Sequence, residues 1–332
     1  MIKLLIVKCF LGAAAVALGI TTSHAAAVPI AIIDDANVTI TLKSPARRIA
    51  TLAPFLTELV YAADAAPHLV AVSAFSDYPE AAKKLPIIAD YQGMAIESLL
   101  AAKPDLVLAW QTGNRPQDIA RIKSLGIPVV QFELKNLEDI PRAMAQIALF
   151  TGISKQPTSI AAIADFNERL AALKVLNGSA ASARKPTPST RAHPNASAAH
   201  YKIRYFLPIE RMPLMTLSGA HIVSKALAVC GGENIFANAA ALAPVVDKEG
   251  IVAGNPEIIF VSAATLERGA VRVKLPSYDA LAKLPITAIQ NKDVFGLNAD
   301  WLMRPTPRML GAVESACAAM SLVRENRAAL PE

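Results

Sequence analysis

Aromatic side chains are scarce in this sequence: they make up 5% of its 332 residues, and only two are tryptophan. The core must therefore be mostly aliphatic, and each ring outside an apolar run has to be weighed on its own. Cysteine is rarer still, with Cys9, Cys230 and Cys317 the only three. So few cysteines exclude a disulfide-dense scaffold. The histidines (His24, His68, His193, His200, His221) are scattered, and together with the cysteines they make no zinc-ligating spacing, so no metal site is expected. Catalytic signatures are missing as well. There is no G-x-S-x-G elbow, no H-E-x-x-H pair, no Walker A loop and no G-x-G-x-x-G turn. No nucleophile motif lies near His68 or His221. These gaps argue against an enzyme and against a resident cofactor. The formal net charge is +6, yet no basic run carries interleaved aromatics, so nucleic acid is not an expected partner.

What is present begins with a leader. Lys3 and Lys8 make a positive start, residues 10–20 are apolar, and Ala25, Ala26 and Ala27 follow in a small-residue cleavage pattern. This reads as a secretory signal peptide over residues 1–26. The alternative, a transmembrane anchor, needs an apolar run of ~20 residues, and this one is shorter. An exported chain works in the periplasm. Cys9 leaves with the leader, so Cys230 and Cys317 remain as an even pair, 87 residues apart, in an oxidising compartment. They form one disulfide or stay as two buried thiols, and the compartment favours the disulfide.

The length suits two lobes better than one. From Arg48 onward, short apolar runs alternate with helical rhythm. Strands are expected at 49–52, 69–73, 105–110 and 128–132. Helices are expected at 57–63, 96–102, 117–125 and 137–150, the last capped by Asn136. This alternation builds a parallel sheet covered by helices, here an N-terminal lobe over residues 45–152. The longest rhythm, 159–175, places Ile160, Ile163, Ala164, Phe166, Leu170 and Leu173 on an inner face, with Thr158 or Ser159 as the cap. It reads as a linking helix over 156–176. Residues 177–200 are rich in Ala, Ser, Pro and Thr and read as a flexible loop. Residues 201–327 repeat the alternation as a C-terminal lobe. Its expected strands are 202–207, 258–262 and 294–297, and its expected helices 220–229, 248–253, 277–284 and 307–323. The expected fold is α/β, two Rossmann-like lobes with central sheets joined by one long helix. A single helical connection allows little bending. Ligands of such sheets sit beyond the carboxyl ends of the strands.

Two groups of residues fall at those ends. Phe75, Tyr91 and Trp110 are rings beside turns, and flat rings at a cleft rim suit a large flat ligand. Their plainer reading is core packing. The second group is Asp300, Trp301 and Arg304, between a strand and the last helix. Asp300 accepts hydrogen bonds and Arg304 donates several, enough to grip a polar ligand rim. The plainer reading there is a local Asp300–Arg304 ion pair, and Arg308 is read as structural.

At these residues the sequence resembles the cobalamin-binding branch of the helical-backbone solute-binding proteins, which serve vitamin B12 ABC importers. The matching stretches are Phe75-Ser76-Asp77-Tyr78-Pro79, Gln92-Gly93-Met94, residues 103–110, residues 229–236, and Asp300-Trp301 through Pro307-Arg308. The resemblance runs from about Arg48 to about Leu322, interrupted at 177–200. It implies a corrin ring held between the lobes by Phe75, Tyr91, Trp110, Asp300, Trp301 and Arg304, as transported ligand and not as cofactor. It also implies that Glu97 and Glu249, one per lobe, dock onto a membrane permease with its cytoplasmic ATPase. It matches Cys230 and Cys317 to a disulfide pair and implies a working monomer. The sequence departs from that pattern on the second lobe. Thr216 or Leu217 stands where a Phe is expected, and Ala243 where a Trp is expected. Each missing ring removes ~0.5–1.5 kcal/mol of contact. A ferric siderophore or haem is therefore the alternative cargo, although siderophore sites gather several basic side chains and this one offers chiefly Arg304.

Overall fold

The computed structural model describes residues 29–178, 202–263, 266, 268–276 and 279–328. The leader expected at 1–26, and all but the first two residues of the loop expected at 177–200, lie outside the described residues.

The chain opens with an antiparallel hairpin, β1 (Ile30–Ile33) and β2 (Thr39–Leu42). The buried Asp34 carboxylate closes its turn, accepting the N–H groups of Ala36 and Val38. Then come β3 (Ile49–Thr51), α1 (Pro54–Ala62), β4 (Leu69–Ser73), β5 (Ile87–Asp90), β6 (Gly93–Met94), α2 (Ile96–Ala102), β7 (Leu106–Trp110), α3 (Pro116–Ser124), β8 (Val129–Phe132) and α4 (Asp139–Phe150). They build a six-stranded sheet in the order β6-β5-β4-β3-β7-β8. Only β6 runs antiparallel. β3 is buried throughout and β7 up to its last residue, Trp110, because helices cover both faces of the sheet.

After α5 (Pro157–Gly178) the second half follows. Its elements are β9 (Ile203–Phe206), β10 (Glu210–Arg211), β11 (Leu214–Met215), α6 (Ile222–Ala228), β12 (Gly232–Asn234), α7 (Lys248–Gly254) and β13 (Ile258–Ser262). Then come β14 (Val271–Arg272), α8 (Thr287–Gln290), β15 (Val294–Leu297), α9 (Ala299–Met303) and α10 (Met309–Ala328). The second sheet has the order β12-β9-β13-β15-β14, antiparallel only at β14. β10 and β11 form a separate small hairpin.

The alternation expected from the sequence is thus present, and several local readings are corrected. Asn136 does not cap α4; the Asp139 carboxylate instead accepts the N–H groups of Lys135 and Asn136 at 2.9 and 2.8 Å. α5 starts at Pro157, whose fixed φ suits a first helical turn. Thr158 is therefore inside the helix, and its hydroxyl donates to Asp64. Ser159 is buried there too, and Ile160 is exposed, because the helix packs through Phe166, Leu170 and Leu173. Residues Asn177 and Gly178 belong to this helix, not to the loop. Of the helix expected at 277–284, residues 277 and 278 lie outside the described residues, and the described part forms a 3-10 turn, Ala280–Lys283, with Pro276 and Pro285 bracketing the segment.

One core spans both halves. Leu59, Phe132 and Phe150 pack in the same cluster as Phe166 and Leu170 of α5 and as Tyr205, Phe260, Met309 and Val313. α5 and α10 are also tied at the surface, where Arg169 donates to Glu314 at 2.8 Å. Cys230 and Cys317 are bonded, joining the end of α6 to α10.

Candidate ligand-binding cleft

The carboxyl edge of the first sheet carries exposed rings. Phe75 is 70% exposed, Tyr91 83% and Trp110 40%. Each ring is held by its own turn. Below Phe75 lies a buried hydroxyl chain, Thr51 to Thr57 to Ser76, with oxygens 2.7 and 2.9 Å apart, and Ser73 closes it at 3.3 Å. It pins the loop after β4, where Phe75 adopts φ +63°, a left-handed conformation rare for a ring-bearing residue. Tyr91 rides the β5–β6 turn, closed by the Asp90 carboxylate accepting from the N–H groups of Gln92 and Gly93. The Trp110 backbone N–H donates to the Asn114 side-chain oxygen at 2.6 Å, and the Asn114 amide nitrogen donates to the Leu52 carbonyl. The Trp110 ring lies across Gly113, where any Cβ would strike it, and stands edge-on to Phe55 at 5.8 Å. The plainer reading of these three rings as core is excluded by their exposure.

The second sheet contributes the segment after β15. The Asn298 side chain caps α9 by accepting the Trp301 N–H at 3.1 Å. Asp300 sits in the first turn, where a carboxylate is favoured. Trp301 is half-buried, its ring across Gly311 and against the core, so it supports this segment from beneath. Arg304 leaves the end of α9 and reaches the first half of the chain. Its Nη1 donates to Glu58 at 3.0 Å and to Asp77 at 2.6 Å, and its Nη2 lies 3.3 Å from Asp300. Arg308 donates to both Glu58 oxygens through Nε and Nη2, the first at 2.9 Å. Its guanidinium stacks 3.9 Å from the centre of the Tyr78 ring. Glu58 is the buried centre of this cluster, with 2% of its side chain exposed. Burial alone would raise the Asp77 carboxyl, but the Arg304 guanidinium outweighs it and holds the group below the ordinary range. Burial would likewise lower Arg304, and Asp77 and Glu58 together push it up instead.

These contacts bring the carboxyl edges of the two sheets face to face. The expected Asp300–Arg304 pair exists, but it is one part of a larger assembly. Glu58, Asp77 and Tyr78 were not singled out from the sequence as members of it. One signal was available: Glu58 is the only charge in the apolar run of α1, and a buried carboxylate requires a partner. Among the described residues, the second edge carries few rings. Thr216 is buried, with its hydroxyl donating to the Leu207 carbonyl at 2.7 Å, and Leu217 is buried beside it. Ala243 packs against the core. The exposed large hydrophobic side chains on the connections after β9 and β12 are Met212, Leu242 and Val245, none of them aromatic, and Glu210, Arg211, Asn238 and Asp247 are exposed beside them.

A second hollow of about 440 Å³ is lined by Asp35, Glu133, Lys135, Asn136, Asp139 and Arg142. Two of its carboxylates are already engaged, since Arg142 lies 2.9 Å from Asp35 and 3.3 Å from Asp139. Lys225 of α6 closes it by donating to the Lys135 carbonyl and the Asn136 side chain. Glu97 and Glu249 are exposed, each in the first turn of a short helix, α2 and α7. No group of three or more metal-ligating side chains occurs among the described residues.

Comparison with known proteins decides the family. Residues 49–301 match the periplasmic binding protein family. The chain belongs to it. The vitamin B12-binding protein of Vibrio parahaemolyticus serotype O3:K6 is 33% identical over 283 residues, covering 85% of this chain and 92% of that one. The vitamin B12-binding protein of Vibrio cholerae serotype O1 is 34% identical over 281 residues, covering 85% and 91%. Among solved structures, the periplasmic vitamin B12 binding protein BtuF of Vibrio cholerae superposes with a TM-score of 0.66 at 34% identity, over 85% of this chain and 99% of that one. The periplasmic heme-binding protein RhuT of a Roseiflexus species superposes with a TM-score of 0.65 at 21% identity, over 84% and 99%, and shows the shared fold alone. As a periplasmic binding protein, this chain carries a solute as cargo. It is a transport component and not an enzyme, and what it holds is not a cofactor.

Proposed function

We propose that this protein captures cobalamin, or a close corrinoid, in the cleft between the two carboxyl edges. It then delivers the cargo to the permease of an ABC importer driven by a cytoplasmic ATPase. The observation that carries this reading is the opposition of an exposed aromatic edge to a polar clamp rich in carboxylates. A corrin is a large flat ring with an amide-bearing rim, and it needs both. Phe75, Tyr91 and Trp110 supply the apolar face. Asp300 supplies acceptors for rim amides, Arg304 holds Asp300 in place, and Trp301 carries the segment. Glu97 and Glu249 are the docking carboxylates, residues 1–26 direct export, and the protein acts as a monomer of two lobes. The similarity to vitamin B12-binding proteins over 85% of the chain supports the same cargo.

The ring-poor second edge, with Met212, Leu242 and Val245 exposed, favours one other reading: a haem or ferric-siderophore cargo on the same fold. Calorimetric titration of the mature protein with cyanocobalamin, haemin and a ferric siderophore separates them. One-to-one binding of cyanocobalamin is expected. Trp110→Ala should then weaken it roughly 2- to 12-fold, the worth of one aromatic contact. No heat with cyanocobalamin and binding of an iron complex would overturn the corrinoid reading.

A further inference from the structure

Glu58 stands out among the charged residues of the cleft because it faces no solvent and still gathers two arginines. It comes from α1 of the first half, and its partners Arg304 and Arg308 come from the segment joining α9 to α10. The groups of this cluster are not equally accessible. The Asp77 and Asp300 side chains are each 49% exposed, whereas Arg304 is 16% and Arg308 18% exposed. Three carboxylates meet two guanidiniums, which leaves one net negative charge. The cleft therefore presents carboxylate oxygens to a ligand and keeps its guanidinium charge withdrawn. Arg308 is further restrained by stacking on Tyr78.

We propose that Glu58 is a specificity-determining positioning residue: by drawing Arg304 and Arg308 inward it makes the cleft accept neutral, amide-rich cargo and reject anionic cargo. This rests on reading the cleft as the ligand site. The physical basis is the sign of the groups left facing the ligand. A primary amide donates its N–H to a carboxylate, whereas a carboxylate-bearing ligand at the same place meets like charge and arginines already engaged. Specificity of this kind comes from what the site repels as much as from what it attracts. Replacing Glu58 by glutamine keeps the shape, removes one negative charge and loosens the hold on both arginines.

The test compares haemin, which carries two carboxylates, with its neutral dimethyl ester. Both are titrated by absorbance into wild-type protein, Glu58→Gln and Asp77→Asn. Glu58→Gln is expected to tighten haemin on the order of tenfold and to leave the dimethyl ester unchanged. Asp77→Asn, at a half-exposed position that does not threaten folding, is expected to shift the same ratio in the same direction by less. Equal tightening of haemin and its ester would mean mere loosening of the cleft and would overturn the proposal. So would an unchanged haemin affinity, or no haemin binding, in both variants. Cyanocobalamin is titrated in parallel. Its failure to bind the wild-type protein would sink the corrinoid reading, while the ratio of haemin to ester would still judge the role of Glu58.

Discussion

At the scale of single residues, position in the fold decides what each titratable group can do. His221 caps α6 by accepting the Val223 N–H on Nδ1 at 3.2 Å. An imidazole can accept there only when neutral. Burial first, and the nearby Lys225 charge second, lower its pKa from the ordinary value. The folded pKa lies below the unfolded one, so the unfolded chain takes up the proton first as pH falls. The stability from this group is complete above about pH 6.5 and is lost as pH drops through the folded pKa. Urea midpoints measured between about pH 7 and about pH 5 should therefore fall more in the wild type than in His221→Asn, which keeps a capping acceptor that does not titrate. An equal fall in both would show that the cap is indifferent to protonation. The site was partly legible at this scale. Phe75, Tyr91 and Trp110 could be picked out as rings beside turns, whereas Glu58 showed only as a lone charge in an apolar run and Asp77 not at all, and neither revealed its partner, because those partners lie 250 and 227 residues away in the chain.

At the scale of elements, most helices and the central strands of both sheets were legible because they depend on local periodicity, whereas the hairpins β1–β2 and β10–β11 and the short strands β5, β6, β12 and β14 were not, being too short to show a period. Further exceptions are caps and inner faces, which depend on neighbours. Ile160 has the spacing of an inner residue, yet α5 turns it outward. The packing of α10 gives a sharper case. A Cβ added at Gly311 would lie 2.9 and 3.0 Å from the Trp301 ring. Glycine to alanine inside a helix ordinarily stabilises by roughly 1 kcal/mol. Here the ring is backed by the core and cannot yield, and overpacking of this kind costs about 1–3 kcal/mol. Gly311→Ala should thus lower the melting temperature, and it should weaken ligand binding because Trp301 neighbours Asp300. A raised melting temperature would mean that the ring has room to move.

At the scale of the molecule, the shared core through α5 and α10 opposes large movements of the two halves. The Cys230–Cys317 bond closes a loop of 87 residues, worth roughly 4–5 kcal/mol on the chain-entropy account. On the proposed function, a body this stiff would deliver its cargo by docking in one orientation, with the exposed Glu97 and Glu249 as the proposed contact from each half. The Glu97→Ala/Glu249→Ala double variant should abolish uptake in cells and leave the calorimetric affinity for cyanocobalamin within about twofold of wild type. Loss of binding in that variant would place these carboxylates in the cleft and remove them from docking.

The sequence by itself determined the α/β alternation, the parallel sheets and the even cysteine pair, because apolar periodicity and residue counts are local or additive properties. Only the tertiary structure decided which rings are exposed, where Arg304 points and what neutralises it. Those outcomes depend on how two sheets meet, and that meeting is set by contacts between residues hundreds of positions apart.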